Sequence, residues 1–160
     1  VAWQHSYELG MSRVLDKFHP SDPITVKEIN DIEAFFRGGI VGLHEALREF
    51  PVSTLVGTSG SFDTMAALVA ARNHPWLNVR LSTSYEIPLP CFDDTFRKLI
   101  HSTANQRAAM EHMDLARVDL IVPGVIFINF ILAEAHIERM YQCGFALKQG
   151  AVYQLIEGKL

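Results

Sequence analysis

Residues 55–66 read LVGTSGSFDTMA, and the fold turns on the change of backbone period within them. Upstream, Val52 to Val56 is a short β-branched run that predicts a strand; downstream, Met65, Leu68 and Val69 recur at helical spacing through Arg72. Between the two lies Gly57-Thr58-Ser59-Gly60-Ser61. Glycine tolerates positive φ and lets a backbone approach closely, and the three hydroxyls can donate hydrogen bonds. The start of the following helix adds exposed N–H groups and the positive end of its dipole. Such a unit suits an anion, most naturally a phosphate. It is neither a Walker A loop, since no lysine follows the last glycine, nor GxGxxG. The same residues also suit a purely structural turn between strand and helix, with Ser61 as the N-cap.

Towards the N-terminus, Thr25 with Glu28 three residues on is a capping-box signature. The apolar positions Ile29, Ile32, Phe36, Ile40, Leu43, Leu47 and Phe50 then predict one long helix ended by Pro51. Gly38, Gly39 and Gly42 weaken it by up to roughly 1 kcal/mol each relative to alanine, which points to close packing as their use. Pro20-Ser21-Asp22-Pro23 is a loop, Met11 to Phe18 a helix, and Ala2 to Leu9, ended by Gly10, has strand composition.

Towards the C-terminus, Asn73 to Ser84 reads as a surface connection and Tyr85 to Leu89 as a short strand. Helices follow around Phe92 to Ile100 and Asn105 to Met113. Leu120 to Val122 is expected to be a buried strand closed by Pro123-Gly124, Val125 to Ala135 an apolar helix, and Ile137 to Cys143 another strand. Strands alternating with helices imply a mostly parallel sheet with helices on its faces, in which Val52–Val56 and Leu120–Val122 belong side by side.

The chain has 160 residues, 49% of them hydrophobic and 20% charged, enough for one core and a single domain over 1–160. Fourteen Lys and Arg against eighteen Asp and Glu give a net charge of −4. No basic surplus is left for a duplex backbone or an anionic membrane, so neither nucleic acid nor a membrane is an expected partner. The uncharged stretch between Asp119 and Glu134 is too short and too interrupted to span a bilayer. Cys91 and Cys143 are far apart with no CxxC, which predicts free thiols and a cytoplasmic location.

Other chemistry is sparse. The seven histidines show neither HExxH nor another recurrent ligand spacing, and no metal ligands are assigned. Asp93-Asp94 suits dipole-complementing capping at a helix start. Arg117, two residues before Asp119, pairs with it on spacing alone; the alternative is a guanidinium presented to a phosphate.

Taken in order, four segments resemble the exopolyphosphatase/guanosine pentaphosphate phosphohydrolase (Ppx/GppA) family, which belongs to the actin-like ATPase superfamily. They are SYELGMSRVLDKF (6–18), LVGTSGSFDTMA (55–66), RVDLIVPG (117–124) and GFALKQGAVY (144–153), and they span nearly the whole chain. The Gly10 and Arg13 positions fall within this match. Lys148-Gln149-Gly150 departs from the basic-acidic-glycine form usual in the family.

The resemblance implies an α/β, ribonuclease-H-like three-layer lobe, the second of two, N-terminally truncated so that Ala2 to Leu9 ends an incomplete meander. It implies hydrolysis of the terminal phosphoanhydride of inorganic polyphosphate or guanosine pentaphosphate, with Mg²⁺, by the intact protein. Gly57, Thr58, Ser59, Gly60 and Ser61 would cradle phosphate, and Arg117 would stabilise charge. The family's aspartate-plus-glycine-run phosphate loop is expected one strand before Val1, and a first lobe with the other phosphate loop and the catalytic glutamate is expected further upstream. The chain alone is therefore expected to fold, to be inactive, and to self-associate as a homo-oligomer through an open sheet edge. An acceptor kinase of the same superfamily and a non-catalytic polyphosphate- or alarmone-binding module are the competing readings.

Overall fold

The computed structural model describes residues 1–158, apart from the side chain of Arg80. The first elements are α1 (Met11–Phe18), anchored by buried Val14, and α2 (Val26–Gly39), whose start follows from the capping box. The Thr25 hydroxyl accepts from the Glu28 N–H at 3.3 Å, and the Glu28 carboxylate accepts from the Thr25 N–H at 2.8 Å. The Thr25 hydroxyl and the Ser21 hydroxyl and N–H also donate to that carboxylate, at 2.7, 2.5 and 2.8 Å. These donors stabilise the charged form and pull the Glu28 pKa down to about 2.

The helix expected to continue to Phe50 is broken at Gly42. Its φ of 82° is left-handed, a conformation glycine adopts without a Cβ penalty, and α3 (Leu43–Glu49) resumes beyond it. Gly39 does serve close packing, since a Cβ there would lie 2.7 Å from Leu9 Cδ2. Ala2 to Leu9 forms no strand. Its strand composition meets no pairing partner among the described residues, and an extended segment without a ladder leaves its N–H and C=O groups to water.

Three strands form one small sheet: β1 (Thr54–Thr58), β2 (Ser84–Glu86) and β3 (Arg139–Cys143), in the order β1-β3-β2. β1 runs parallel to β3, with Val56 opposite Tyr141, and β2 runs antiparallel to β3, so the sheet is mixed rather than mostly parallel. β1 has one free edge. Its neighbour is β3, not Leu120–Val122, which belongs to no strand.

Those residues instead lead into α7 (Ile121–Glu134). Pro123 lies in the first helical turn, where its missing N–H has no intrahelical partner to lose, so Pro123-Gly124 does not stop the segment. An unbroken apolar run fits a buried strand and a buried helix equally well by period, and its length decides for the helix. α4 (Gly60–Asn73) follows β1, and α5 (Leu89–Ile100) and α6 (Ala104–Ala108) precede α7. Asp93 and Asp94 fall in the second turn of α5, where they pair with Arg97 and Arg72 rather than capping its start.

α7 has eight buried residues, and α1, α2, α4 and α5 all pack on it. α4 lies against β1 and β3, so the helices stack on one face of the sheet. Val56, Thr58, Glu86 and Arg139 on the other face are exposed, and the further helical layer expected there does not form among the described residues. The last helix, α8 (Leu147–Ile156), buries none of its residues. No helix among the described residues is long and apolar enough to cross a membrane.

The connection into α7 is tied to the N-terminal loop by Arg107, which is 4% exposed. Its guanidinium pairs with Asp22 at 2.9 Å and donates to the Val118 carbonyl at 2.8 Å and to the Ser102 carbonyl.

Because the Glu28 pKa is depressed in the folded state, its stabilising contribution is complete above the unfolded value, about 4.3, and is lost as pH falls through the folded one. In thermal melts taken between roughly pH 5 and pH 2, the Glu28→Gln variant is expected to lose melting temperature less steeply than wild type. Parallel curves would show that the network carries no linked stability.

Candidate functional site

β1 delivers Gly57 and Thr58 as its last two residues, Ser59 makes the turn, and Gly60 and Ser61 open α4. Ser59, not Ser61, is the N-cap, and no side chain caps this end of the helix. In the first turn the Phe62 and Asp63 N–H groups donate to the Ser59 carbonyl, at 3.0 and 3.4 Å, which leaves those of Gly60 and Ser61 with neither an intrahelical nor a side-chain acceptor. Ser59 has φ 63° and ψ 173°, a region that glycine occupies and other residues enter at a cost of about 1–3 kcal/mol.

Three close approaches fix the loop. A Cβ on Gly57 would lie 2.2 Å from the Phe62 ring, one on Gly60 would lie 2.8 Å from the Arg117 guanidinium, and one on Gly124 of α7 would lie 2.1 Å from Ser61 Oγ. Gly124 thus lets the loop rest on α7, and Gly60 makes room for Arg117. The glycine loop and the Arg117 to Gly124 segment are in contact here.

The five loop residues do not all face one way. Ser59 and Gly60 line a cavity of about 380 Å³ with Arg117, Asp63, Asp114, Gln142, Lys148 and Gln149. Thr58 and Ser61 line a shallower hollow of about 280 Å³ beside Phe127 and Ile128, which Ser59 and Gly60 also border. Gly57 is buried beneath Phe62. Arg117 and Asp119 face different cavities, so the ion pair read from their spacing does not form.

Several cavity residues escape the sequence reading. Asp63 accepts from Gln142 Nε2 at 2.9 Å, whereas Gln142 Oε1 is buried without a hydrogen-bond partner. Strand alternation carried a signal for Gln142, because it falls two residues after buried Met140 and so on the same covered face. Asp63, Asp114 and Lys148 meet only through the tertiary fold. Gln149 spends its amide on the start of α8, accepting from the Ala146 N–H at 3.0 Å and donating to the Gly144 carbonyl at 3.4 Å. A neutral glutamine does there what a carboxylate could do as an acceptor. Two cations, Arg117 and Lys148, thus face two carboxylates, Asp63 and Asp114, around a turn that presents N–H groups.

The match to the Ppx/GppA phosphatase family runs over residues 1–158. The chain belongs to that family. It is similar to Exopolyphosphatase 2 of Mycobacterium tuberculosis, with 28% identity over 138 residues, 84% of this chain and 41% of that protein. Its fold superposes with a TM-score of 0.91 on the crystal structure of an exopolyphosphatase from Cytophaga hutchinsonii. That match has 28% identity and covers 98% of this chain and 50% of the other. The Ppx/GppA family member from Aquifex aeolicus shares the fold at a TM-score of 0.73 and 18% identity, over 94% of this chain and 47% of its own. The chain spans half or less of the length of these relatives.

Replacing Ser59 by glycine is expected to relieve the backbone strain and raise unfolding stability by about 1 kcal/mol, readable as a higher melting temperature; no change would mean that the turn relaxes in solution. Replacing Gly60 by valine is expected to push Arg117 away and weaken pyrophosphate binding, measured by calorimetry, by roughly tenfold or more. His74→Ala, at a residue whose ring meets Tyr85 and Trp76 outside the cavity, is expected to leave that binding unchanged.

Proposed function

We propose that this chain is the phosphate-holding part of a hydrolase that cleaves the terminal phosphoanhydride of inorganic polyphosphate or guanosine pentaphosphate. The observation that carries the reading is the uncapped N-terminus of α4 at Ser59-Gly60, with the Arg117 guanidinium packed on Gly60 at the mouth of a 380 Å³ cavity. In this reading Gly57 to Ser61 cradle phosphate oxygens through backbone N–H groups and hydroxyls. Gly57 acts by keeping the strand close to Phe62, and Ser59 and Gly60 by presenting amides to the cavity. Arg117 stabilises the negative charge that spreads as the anhydride bond breaks. Fixed donors of this kind contribute through positioning and electrostatics, the terms that dominate phosphoryl transfer.

Mg²⁺, if it takes part, would find two cavity carboxylates here, Asp63 and Asp114, and no group of three metal-binding side chains among the described residues. That set fits a cation that takes one or two carboxylates together with the phosphates and water. Bound there, the ion would neutralise phosphate charge.

The relatives are about twice as long, so we assign the attacking-water base and the second phosphate cradle to the part of the fold that this chain does not cover. We place the chain in a ribonuclease-H-like lobe whose leading antiparallel strands would pair with the free edge of β1. Two free thiols, Cys91 and Cys143, suit the reducing cytoplasm to which we assign the protein.

Colourimetric phosphate release tests this reading. A polypeptide of the relatives' full length that contains this chain is expected to release orthophosphate from at least one of the two substrates. Its Arg117→Ala variant should be slower by about 100-fold, and the 160-residue chain alone should show no turnover. No release from either substrate would reject the hydrolase. Acceptor-dependent ADP formation would replace it with a kinase.

A further inference from the structure

Among the described residues, Arg107 is the one charged side chain that is buried. Taking a guanidinium out of water is costly, and an apolar side chain of similar volume often serves stability as well or better. The cation is therefore explained by what it holds, and it holds backbone. Nε donates to the Val118 carbonyl at 2.8 Å, Nη1 donates to the Ser102 carbonyl, and the same Nη1 pairs with Asp22 Oδ1 at 2.9 Å. The second Asp22 oxygen accepts from the Ala104 N–H at 2.7 Å, so one carboxylate fastens both the guanidinium and the start of α6.

Val118 is the residue after Arg117. On the upstream side, the Asp114 carboxylate accepts from the Ala116 N–H at 3.0 Å and the Asp114 carbonyl from the Arg117 N–H at 2.8 Å. On the downstream side, the grip of Arg107 on the Val118 carbonyl fixes the turn that leads into α7. Arg117 is thus clamped through its backbone from both directions. Its own guanidinium makes no hydrogen bond or ion pair among the described residues, so its direction is set by that backbone and by its packing on Gly60.

We propose that Arg107 is a positioning residue for Arg117: by holding the Val118 carbonyl it sets the direction from which the Arg117 guanidinium meets Gly60 and the cavity. The inference rests on the reading of Arg117 as the group that stabilises phosphate charge. A misplacement of about 1 Å in such a group costs on the order of a hundredfold in rate, so a contact made outside the cavity acts on the chemistry inside it. It also gives the N-terminal loop a part in the site, since Asp22 acts there through this guanidinium. Lysine cannot substitute, because a single ammonium lacks the rigid fork that spans two carbonyls and a carboxylate.

A double-mutant cycle on the 160-residue chain tests this, with pyrophosphate binding measured by calorimetry. Arg107→Lys is expected to weaken binding by about tenfold on its own, and by no more than about twofold when Arg117→Ala is already present. Equal weakening in both backgrounds is the mark of a merely structural role and overturns the proposal. So does unchanged binding in the single variant. Placement is read separately from the NMR signal of the Arg117 Nε–H, identified by its loss in Arg117→Ala. In Arg107→Lys that signal is expected to shift and to lose its cross-peak to Gly60, and an unmoved signal refutes the inference. Where Arg107→Lys fails to fold, Asp22→Asn carries the same cycle, because asparagine keeps an acceptor for Ala104 and removes only the ion pair. Its expected weakening is about threefold, and none without Arg117. Should the chain bind no pyrophosphate, or Arg117→Ala bind it as well as wild type, the charge-stabilising reading of Arg117 falls, and the NMR signal still decides whether Arg107 places it.

Discussion

Helix α7 has no charged side chain from Ile121 to Ala133, so water has to be kept from nearly every side of it. Four helices do this, and the cost of exposing the run decides where each of them lies. α4 is pressed between α7 and the strands, which sets the direction of its N-terminus and hence of the loop before it. Gly124, on α7 itself, completes the arrangement by admitting Ser61 where any side chain would collide. The candidate site is thus a by-product of burying one apolar helix, and its geometry is as rigid as that packing.

Local chemistry was legible where a short stretch contains its own explanation. The Thr25–Glu28 box, α1, the strand–loop–helix unit at 55–66 and β3 all follow from periods and caps that need no distant partner. Legibility ended where the deciding contact is remote. Ala2–Leu9 has the residues of a strand and nothing to pair with, and Leu120–Val122 is too short to reveal its period. The break at Gly42 depends on a left-handed backbone that a regular apolar pattern on both sides conceals. In the site, the glycine loop and Arg117 were visible as separate features, but their contact through the missing Cβ of Gly60 was not. Asp63, Asp114 and Lys148 carry no spacing signal at all, since each reaches the cavity from a different element.

The charge pattern of the cavity also distinguishes it from a simple anion trap. Lys148 is offset by Asp114, and Asp63 sits at the very helix end where an anion would gain most from the dipole. A multiply charged phosphate therefore meets a cavity of no net formal charge. Selectivity has to come from where the donors point, and the orphaned Gln142 Oε1 beside Asp63 shows that the packing here does not satisfy every polar group.

The contact between Gly60 and Arg117 bears on which side chains position 60 admits. A β-carbon there would meet the guanidinium, the free end of a flexible side chain that can swing aside, so the clash alone is cheap to relieve. The left-handed φ of 40° is not relieved in that way and disfavours every L side chain. A residue gained at position 60 would thus displace the cation from the loop before it disturbed the packing, separating the loss of charge placement from the loss of fold.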